Sequence, residues 1–173
     1  SYAMGDEAGL LMASWPRGRL KVPFPYFAEV MTGFEYTAAV SMIQLGMDEE
    51  ALRVIRAVRD RCDGRKRNPF DEPECGHHYG RAMASWNALV AWSGFHYSAV
   101  ERRVGFGARP GRHFWSNGAA WGTFERREAR AILRVLHGEL VAEELAVAGY
   151  LACRLQPANV SVGEIREFAL QPE

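Results

Sequence analysis

The sequence lacks three features that would place the protein outside the ordinary globular class. No apolar run approaches the ~20 residues that a membrane-spanning helix needs, so no membrane span is expected. There are no internal repeats and no low-complexity tracts. The three cysteines, Cys62, Cys75 and Cys153, have unrelated spacings and do not predict a disulfide framework. A reducing compartment, by default the cytoplasm, is therefore expected.

An excess of charge of one sign is also absent, because 21 Lys and Arg balance 21 Asp and Glu. One basic cluster is interleaved with two aspartates and closes a predicted helix, where cations complement the helix dipole. Its members are Arg59, Arg61, Arg65, Lys66 and Arg67. The cluster predicts a solvated helix end, and no nucleic-acid partner is expected.

What is present is enough apolar sequence for a core: 48% of the 173 residues are hydrophobic and 24% are charged. Helical spacing of apolar residues predicts helices over 27–45, 48–62 and 78–93, with glycines at or just past their ends. Two short strands are predicted around 10–14. The first part of the chain, 1–95, is therefore expected to be helical.

After residue 95 the apolar period changes to two. Ala131, Leu133 and Val135 alternate with polar residues, which predicts a strand and a hairpin that turns at Gly138. Further strands are predicted over 159–162 and 165–170. A helix over 125–136 is the competing interpretation, since the same stretch also has helical spacing. The second part, 96–173, is expected to be mainly β and to pack on the helices.

The segment 68–86 contains carboxylates, histidines and an arginine in a predicted loop that leads into a helix. Pro73 and Gly76 break regular structure, so Glu72 and Glu74 are expected on irregular backbone. Arg81 falls in the first turn of the predicted helix, where a cation opposes the helix dipole, and this implies that Arg81 has a partner. Taken alone, Glu72 and Arg81 would more often form a loop-to-helix ion pair than a binding site.

Three segments in order resemble glycoside hydrolase family 116, which contains bile acid β-glucosidases and non-lysosomal glucosylceramidases. Residues 29–36 read Glu-Val-Met-Thr-Gly-Phe-Glu-Tyr, with methionine where the family usually has tryptophan. Residues 57–69 resemble the run that leads into the sugar-recognition loop, and 68–86 resembles that loop. A weaker echo lies at 114–123. The resemblance implies helices of a partial α/α-barrel (toroid). Together with the strands predicted after residue 95, the expected fold class is α+β, with these helices followed by a small antiparallel sheet.

The resemblance also implies binding residues. Glu72 and Arg81 carry over as ligands of the glucose hydroxyls, through charge-assisted hydrogen bonds that can distinguish sugar epimers. Glu74 is expected to accept bonds from sugar hydroxyls, and His78 is expected in the pocket wall. Tyr79 is expected either to pack against the residues that contact the sugar, without contacting the sugar itself, or to begin the apolar face of the helix.

Glu29 and Thr32 are likewise expected to contact the sugar-binding residues and not the sugar itself. A capping arrangement at the start of the helix is the equally favoured alternative for this pair.

The activity that the resemblance implies is hydrolysis of β-linked glucosides with retention, by a Glu nucleophile and an Asp acid/base. In the family both lie upstream of the matched segments, so no catalytic residue is predicted in this chain, which is expected to be inactive alone. Glu29 and Glu35 cannot replace the pair, because six residues on a helix leave them about 120° apart. Glu72 and Glu74 are separated by a proline, and Arg81 favours their ionised form.

The expected partner is a small-molecule glucoside, with glucosylceramide and sterol glucosides as candidates. Helices cut from a toroid would expose apolar surface, so association with an upstream part of the catalytic domain or with a second copy is also expected. The alternative function is a non-catalytic carbohydrate-binding or interaction module. A metal-dependent hydrolase using His77 and His78 is disfavoured, because zinc sites take three or four ligands at wider, paired spacings. No metal or other cofactor is expected.

Overall fold

The structure, a computed structural model, describes residues 5–15, 17–18, 22, 26, 29–66 and 83–173. The chain divides into two compact units, Ser1–Ala88 and Leu89–Glu173, which we call the helical unit and the sheet unit. The helices are α1 (Thr32–Gln44), α2 (Asp48–Arg61) and α3 (Ser85–Ser93). The strands are β1 (His96–Ser98), β2 (Arg103–Phe106), β3 (Gly111–Ser116), β4 (Ala120–Arg127), β5 (Arg130–Val141), β6 (Glu144–Val147), β7 (Tyr150–Arg154), β8 (Asn159–Ser161) and β9 (Ile165–Ala169). None of these helices is long and apolar enough to cross a membrane.

In the helical unit, α1 and α2 form a hairpin that confirms two of the predicted helices. The chain turns at Gly46, whose φ of 76° suits glycine best. α2 begins with three acidic residues and has two arginines in its last turn, and both sets complement the helix dipole. Tyr36 on α1, Val58 on α2 and Ala88 on α3 share a small apolar cluster.

The segment before α1 crosses the hairpin in an extended conformation. The two strands predicted around 10–14 reduce to one isolated bridge, in which Leu11 pairs with Val30. The Met12 amide donates to the Glu29 carbonyl at 2.9 Å.

The sheet unit contains two sheets. In the first, the strand order is β1-β2-β6-β7, and β2 and β6 are parallel while the other pairs are antiparallel. In the second, the order is β3-β4-β5-β8, and β9 also pairs with β5. The strands predicted near 159–162 and 165–170 are confirmed as β8 and β9.

The core of the sheet unit lies between the two sheets. Phe106 of the first sheet stacks on Phe124 of the second, with ring centroids 3.9 Å apart and planes 5° apart. Phe95 contacts Phe106 and Trp115, at centroid distances of 5.5 and 6.1 Å. Such aromatic pairs add about 0.5–1.5 kcal/mol each to the free energy gained by burying their surface.

Strand β5 corrects the predicted hairpin. The chain does not reverse at Gly138 but continues through it to Val141. The reversal lies earlier, between β4 and β5, where Glu128 has a φ of 49°. The competing helix over 125–136 is also wrong, since those residues belong to β4 and β5 and the turn between them. Gly138 instead marks where β5 changes partner, from β9 on residues 130–134 to β8 on residues 139–141.

The predicted fold class is wrong. Strand residues outnumber helical residues, and two sheets with one parallel strand pair replace the small antiparallel sheet appended to a partial α/α-barrel. The prediction assumed that each helical hairpin needs neighbouring hairpins to cover its flanks. In the structure the α1–α2 hairpin is instead contacted by the extended N-terminal segment, through the bonds described below.

The position of Gly138 gives the first prediction. Its φ is 72°, and a Cβ added there would lie 2.1 Å from the Ala119 carbonyl oxygen. Gly149 is a matched control, because its φ is 78° but an added Cβ would meet nothing within 4 Å. Gly149→Ala should cost about 1–2 kcal/mol of unfolding free energy from backbone strain alone. Gly138→Ala should cost a further ~1–3 kcal/mol from the clash.

The measurement is urea unfolding of both variants, followed by tryptophan fluorescence. Equal losses in the two variants would show that the close approach of Gly138 to Ala119 is not a real constraint.

Candidate ligand-binding cleft

A buried ion pair organises the helical unit. The Arg61 guanidinium on α2 bonds the Glu35 carboxylate on α1, and the side chains are 4% and 1% exposed. Arg61 Nη1 also donates to the Ala8 carbonyl at 2.5 Å, and the Leu10 amide donates to Glu35 Oε1 at 2.8 Å. Gly9 lies between these bonds, where a Cβ would come within 2.6 Å of Val30. The pair therefore fastens the N-terminal segment to both helices.

A polar cleft of about 490 Å³ lies next to this pair. It is formed by the N-terminal segment, the later turns of α2 and the turn that follows α2. Its volume is within the ~300–1,000 Å³ typical of small-molecule sites. The lining residues are Asp6, Glu7, Ala8, Arg53, Arg56, Ala57, Asp60, Arg61, Asp63, Arg65 and Lys66. The cleft thus lies where the chain leaves α2 toward the predicted sugar-recognition loop.

Two of the carboxylates that line the cleft, Asp6 and Asp63, form ion pairs at its rim. Lys66 Nζ lies 2.7 Å from Asp6 Oδ1, and Asp63 accepts bonds from the Arg65 amide and guanidinium. The Lys66 hydrogen bond lowers the pKa of Asp6, and Asp6 in turn raises the pKa of Lys66. The backbone amide of Arg65 lowers the pKa of Asp63. Both carboxylates are therefore ionised at neutral pH and carry no proton to transfer.

This charge pattern suits binding better than acid catalysis. A general acid near neutral pH needs a raised pKa, which burial or a nearby like charge provides. The groups that bond Asp6 and Asp63 instead lower the pKa of both carboxylates. Ionised carboxylates accept short hydrogen bonds and the neighbouring ammonium and guanidinium groups donate them, as recognition of a ligand with many hydroxyl groups requires.

Most of the predicted sugar-contacting residues lie outside the described residues. These are Glu72, Glu74, His78, Tyr79 and Arg81. The structure thus neither brings Glu72 and Arg81 together nor separates them, and their roles stay predictions.

Glu29 and Thr32 are described, and neither is among the residues that line the cleft. Thr32 is the first residue of α1, and the capping position before it belongs to Met31. Glu29 contributes its backbone, accepting from Met12 and donating to the Tyr26 carbonyl. The capping alternative therefore does not describe this helix start.

Glu35 and Arg61 were not predicted as partners. Arg61 was predicted as part of a solvated helix end, which is wrong for Arg61 but agrees with Arg65, whose side chain is 78% exposed. A signal was present in the sequence. Glu35 precedes the buried Ala39 by four residues, and Arg61 follows the buried Val58 by three, so each charge lies on the apolar face of its helix. Two opposite charges on facing apolar stripes indicate a buried pair.

Within the described ranges, no group of three or more His, Cys, Asp or Glu side chains is placed to hold a metal ion. The disfavoured candidates His77 and His78 lie outside those ranges.

No known protein family matches the chain, and no curated protein matches it either. The resemblance to glycoside hydrolase family 116 therefore stays a prediction that rests on the three sequence segments.

The buried pair gives the second prediction. Arg61→Met should leave the Glu35 carboxylate buried without its counter-charge and lower the unfolding free energy by about 3–5 kcal/mol. Arg59→Met is the matched control, because Arg59 is an exposed arginine on the same helix. That change should stay within about 0.5 kcal/mol. The measurement is urea unfolding followed by the helical circular dichroism signal.

The double variant Glu35→Leu with Arg61→Met should recover much of the loss, since it removes both charges from the interior. A loss in Arg61→Met no larger than in Arg59→Met would contradict the burial of the pair.

Proposed function

We propose that this chain is part of a retaining β-glucosidase and supplies glucose-recognition residues, while the nucleophile and the acid/base come from sequence outside it. The proposed substrates are β-linked glucosides, including glucosylceramide or sterol glucosides. The proposal rests on the matched segments and on the cleft, and not on a helical toroid, which the fold excludes.

The observation that carries the proposal is the meeting of two matched segments at one buried contact. Glu35 belongs to the segment 29–36 and Arg61 to the segment 57–69, and these two side chains form the ion pair. The third matched segment, 68–86, begins two residues after Lys66, which lines the cleft. Two segments that resemble one family thus meet at the buried pair, and the segment 57–69 also lines the polar cleft.

The chemistry of the cleft supports recognition rather than bond cleavage. Retaining hydrolysis needs two carboxyl groups about 5–5.5 Å apart, one of them protonated in the resting enzyme. The Lys66 ammonium lowers the pKa of Asp6, and the Arg65 backbone amide, followed by the Arg65 guanidinium, lowers the pKa of Asp63. The same groups are suitable acceptors for sugar hydroxyls.

A non-catalytic carbohydrate-binding module is the second candidate function. The low pKa of Asp6 and Asp63 favours it equally, because binding alone needs no proton donor. The two candidates differ in one respect: the first requires catalytic carboxylates from elsewhere in a longer protein, and the second does not.

The third prediction concerns sugar binding by the predicted loop. Arg81→Ala should weaken glucose binding to the purified chain by about tenfold or more, because a charge-assisted hydrogen bond is worth about 1.5–3 kcal/mol. Binding is measured by saturation-transfer NMR titration with glucose, and galactose serves as the epimer control. Arg59→Ala, a change outside the cleft lining, should leave the affinity unchanged.

The same preparation should release no p-nitrophenol from its β-glucoside above background. Release that disappears in Glu72→Ala would show a complete catalytic site in this chain. It would contradict the proposal that the nucleophile and the acid/base lie outside the chain. An unchanged glucose affinity in Arg81→Ala would remove the loop assignment.

A further inference from the structure

One wall of the polar cleft is a single face of α2. Its members lie three, four, seven and eight positions after the first, and this spacing places them on one side of a helix. They are Arg53, Arg56, Ala57, Asp60 and Arg61. Ala57 lies at the centre of this face and has its smallest side chain. The longer side chains around Ala57 therefore leave room between them, and this room is part of the cleft.

Two cations on this wall differ from the other cations of the cleft. The other three already have carboxylate partners, and these pairs are Arg61 with Glu35, Arg65 with Asp63 and Lys66 with Asp6. Among the described residues, neither Arg53 nor Arg56 has a hydrogen-bond or ion-pair partner. Both side chains are exposed. The cleft therefore presents two guanidiniums whose donors are available to a ligand.

The charge of this pair indicates what it would bind. Arg53 and Arg56 are one helical turn apart, and like charges at that spacing destabilise a helix. An anion that bonds both guanidiniums would remove this repulsion. A phosphate monoester carries a charge of about −1.5 to −2 at neutral pH, which matches two unpaired cations. Its oxygens also accept paired bonds from guanidinium groups, whereas a carboxylate brings a single charge.

We propose that the cleft binds a small phosphate monoester whose remaining part carries hydroxyl groups. Arg53 and Arg56 bind the phosphate group. Asp60 lies on the same wall and also has no partner among the described residues. At the helical rise it lies about 6 Å beyond Arg56 and about 10 Å beyond Arg53 along the axis. Its carboxylate is thus placed to accept bonds from the hydroxyls of a ligand whose phosphate contacts the two arginines.

A nucleic acid or another polyanion fits less well. Four carboxylates line the same cleft, and these are Asp6, Glu7, Asp60 and Asp63. Glu7 has an interaction of its own and is not counted as available to a ligand. A chain of phosphates that extended beyond the two arginines would meet these negative charges, and like charges repel. A small ligand with one phosphate avoids that repulsion.

The two halves of the proposal have different foundations. Arg53 and Arg56 belong to none of the segments that resemble the glucosidase family, so the phosphate contact does not rest on the proposed function. The hydroxyl contact at Asp60 does rest on it, because it assumes that the cleft recognises a sugar. The experiment therefore uses one probe for each half.

The test titrates the full chain with inorganic phosphate and with glucose 6-phosphate, followed by the NMR shifts of its backbone amides. Both probes should bind, and glucose 6-phosphate should bind more tightly because its hydroxyls can reach Asp60. The double variant Arg53→Gln with Arg56→Gln should weaken both probes about tenfold or more, since hydrogen bonds to charged groups contribute strongly to affinity. Glutamine suits exposed helix positions, so the variant should keep its helical circular dichroism signal.

Two further variants separate a site in the cleft from general attraction to positive charge. Arg59→Gln removes an exposed arginine of the same helix that does not line the cleft, and it should leave both affinities unchanged. Ala57→Leu keeps both cations but fills the centre of the wall, and it should abolish binding of both probes. Circular dichroism checks that the Ala57→Leu chain keeps its helices.

Three results would overturn the phosphate contact. The first is no binding of inorganic phosphate by the unaltered chain, and the second is binding that the double arginine variant leaves intact. The third is binding that Ala57→Leu leaves intact, which would show attraction to surface charge only. Glucose 6-phosphate that binds no more tightly than inorganic phosphate would overturn the hydroxyl contact. An unchanged glucose affinity in Arg81→Ala, by contrast, would remove the loop assignment and leave the phosphate contact standing.

Discussion

Glu35 and Arg61 are both removed from water, and a charge in that position is stable only while its partner remains in place. The apolar cluster of the helical unit is small, with Tyr36, Val58 and Ala88 as its buried members. The ion pair joins one defined position on α1 to one on α2, and it therefore fixes how the two helices align, which a small apolar cluster does not do. Its remaining bonding capacity reaches the backbone at Ala8 and Leu10, and this fixes the N-terminal segment as one wall of the polar cleft.

In the sheet unit the comparable constraint is the length of β5. A strand that pairs with β4 on one edge and with β9 and then β8 on the other must bend where it changes partner. Gly138 provides that bend, and its close approach to Ala119 leaves no room for a side chain. The same stretch contains the register shift between Trp121 and Gly122, and Trp121 and His137, which pair there, are both exposed.

The sequence was sufficient to predict most local secondary structure, but it was not sufficient to predict how the elements pair and pack. Residue periodicity located α1, α2 and the change to strands near residue 95, because these depend on neighbours along the chain. It failed at Gly138, since a glycine between alternating runs is compatible with a hairpin or with a bend, and only the pairing partners decide between them.

The pairing of Glu35 with Arg61 was missed although each lies on the apolar face of its helix, because the two residues are 26 positions apart in the sequence. Glu35 was assessed only with Glu29, as a possible catalytic pair, and Arg61 only as part of a basic helix end. The prediction of the fold class was wrong for a related reason. It took the toroid from the resemblance, and the sequence of a helix does not show which element packs against its sides.

The carboxylates whose pKa is shifted share one kind of environment in both units. In the cleft, Lys66 lowers the pKa of Asp6, and the backbone amide of Arg65 with its guanidinium lowers the pKa of Asp63. In the second sheet, Arg127 and Arg112 lower the pKa of Glu125. Pairing of this kind makes a carboxylate a strong acceptor and a weak acid at once, so the groups best placed to bind a sugar hydroxyl are least able to protonate a glycosidic oxygen. Cleavage would require a carboxyl group whose surroundings raise its pKa, and the cations already in the cleft act against that for any group brought near them. A catalytic carboxylate supplied from elsewhere would therefore have to stand apart from Arg61, Arg65 and Lys66. The cleft would then hold the sugar, and the reacting bond would lie beyond the reach of those cations.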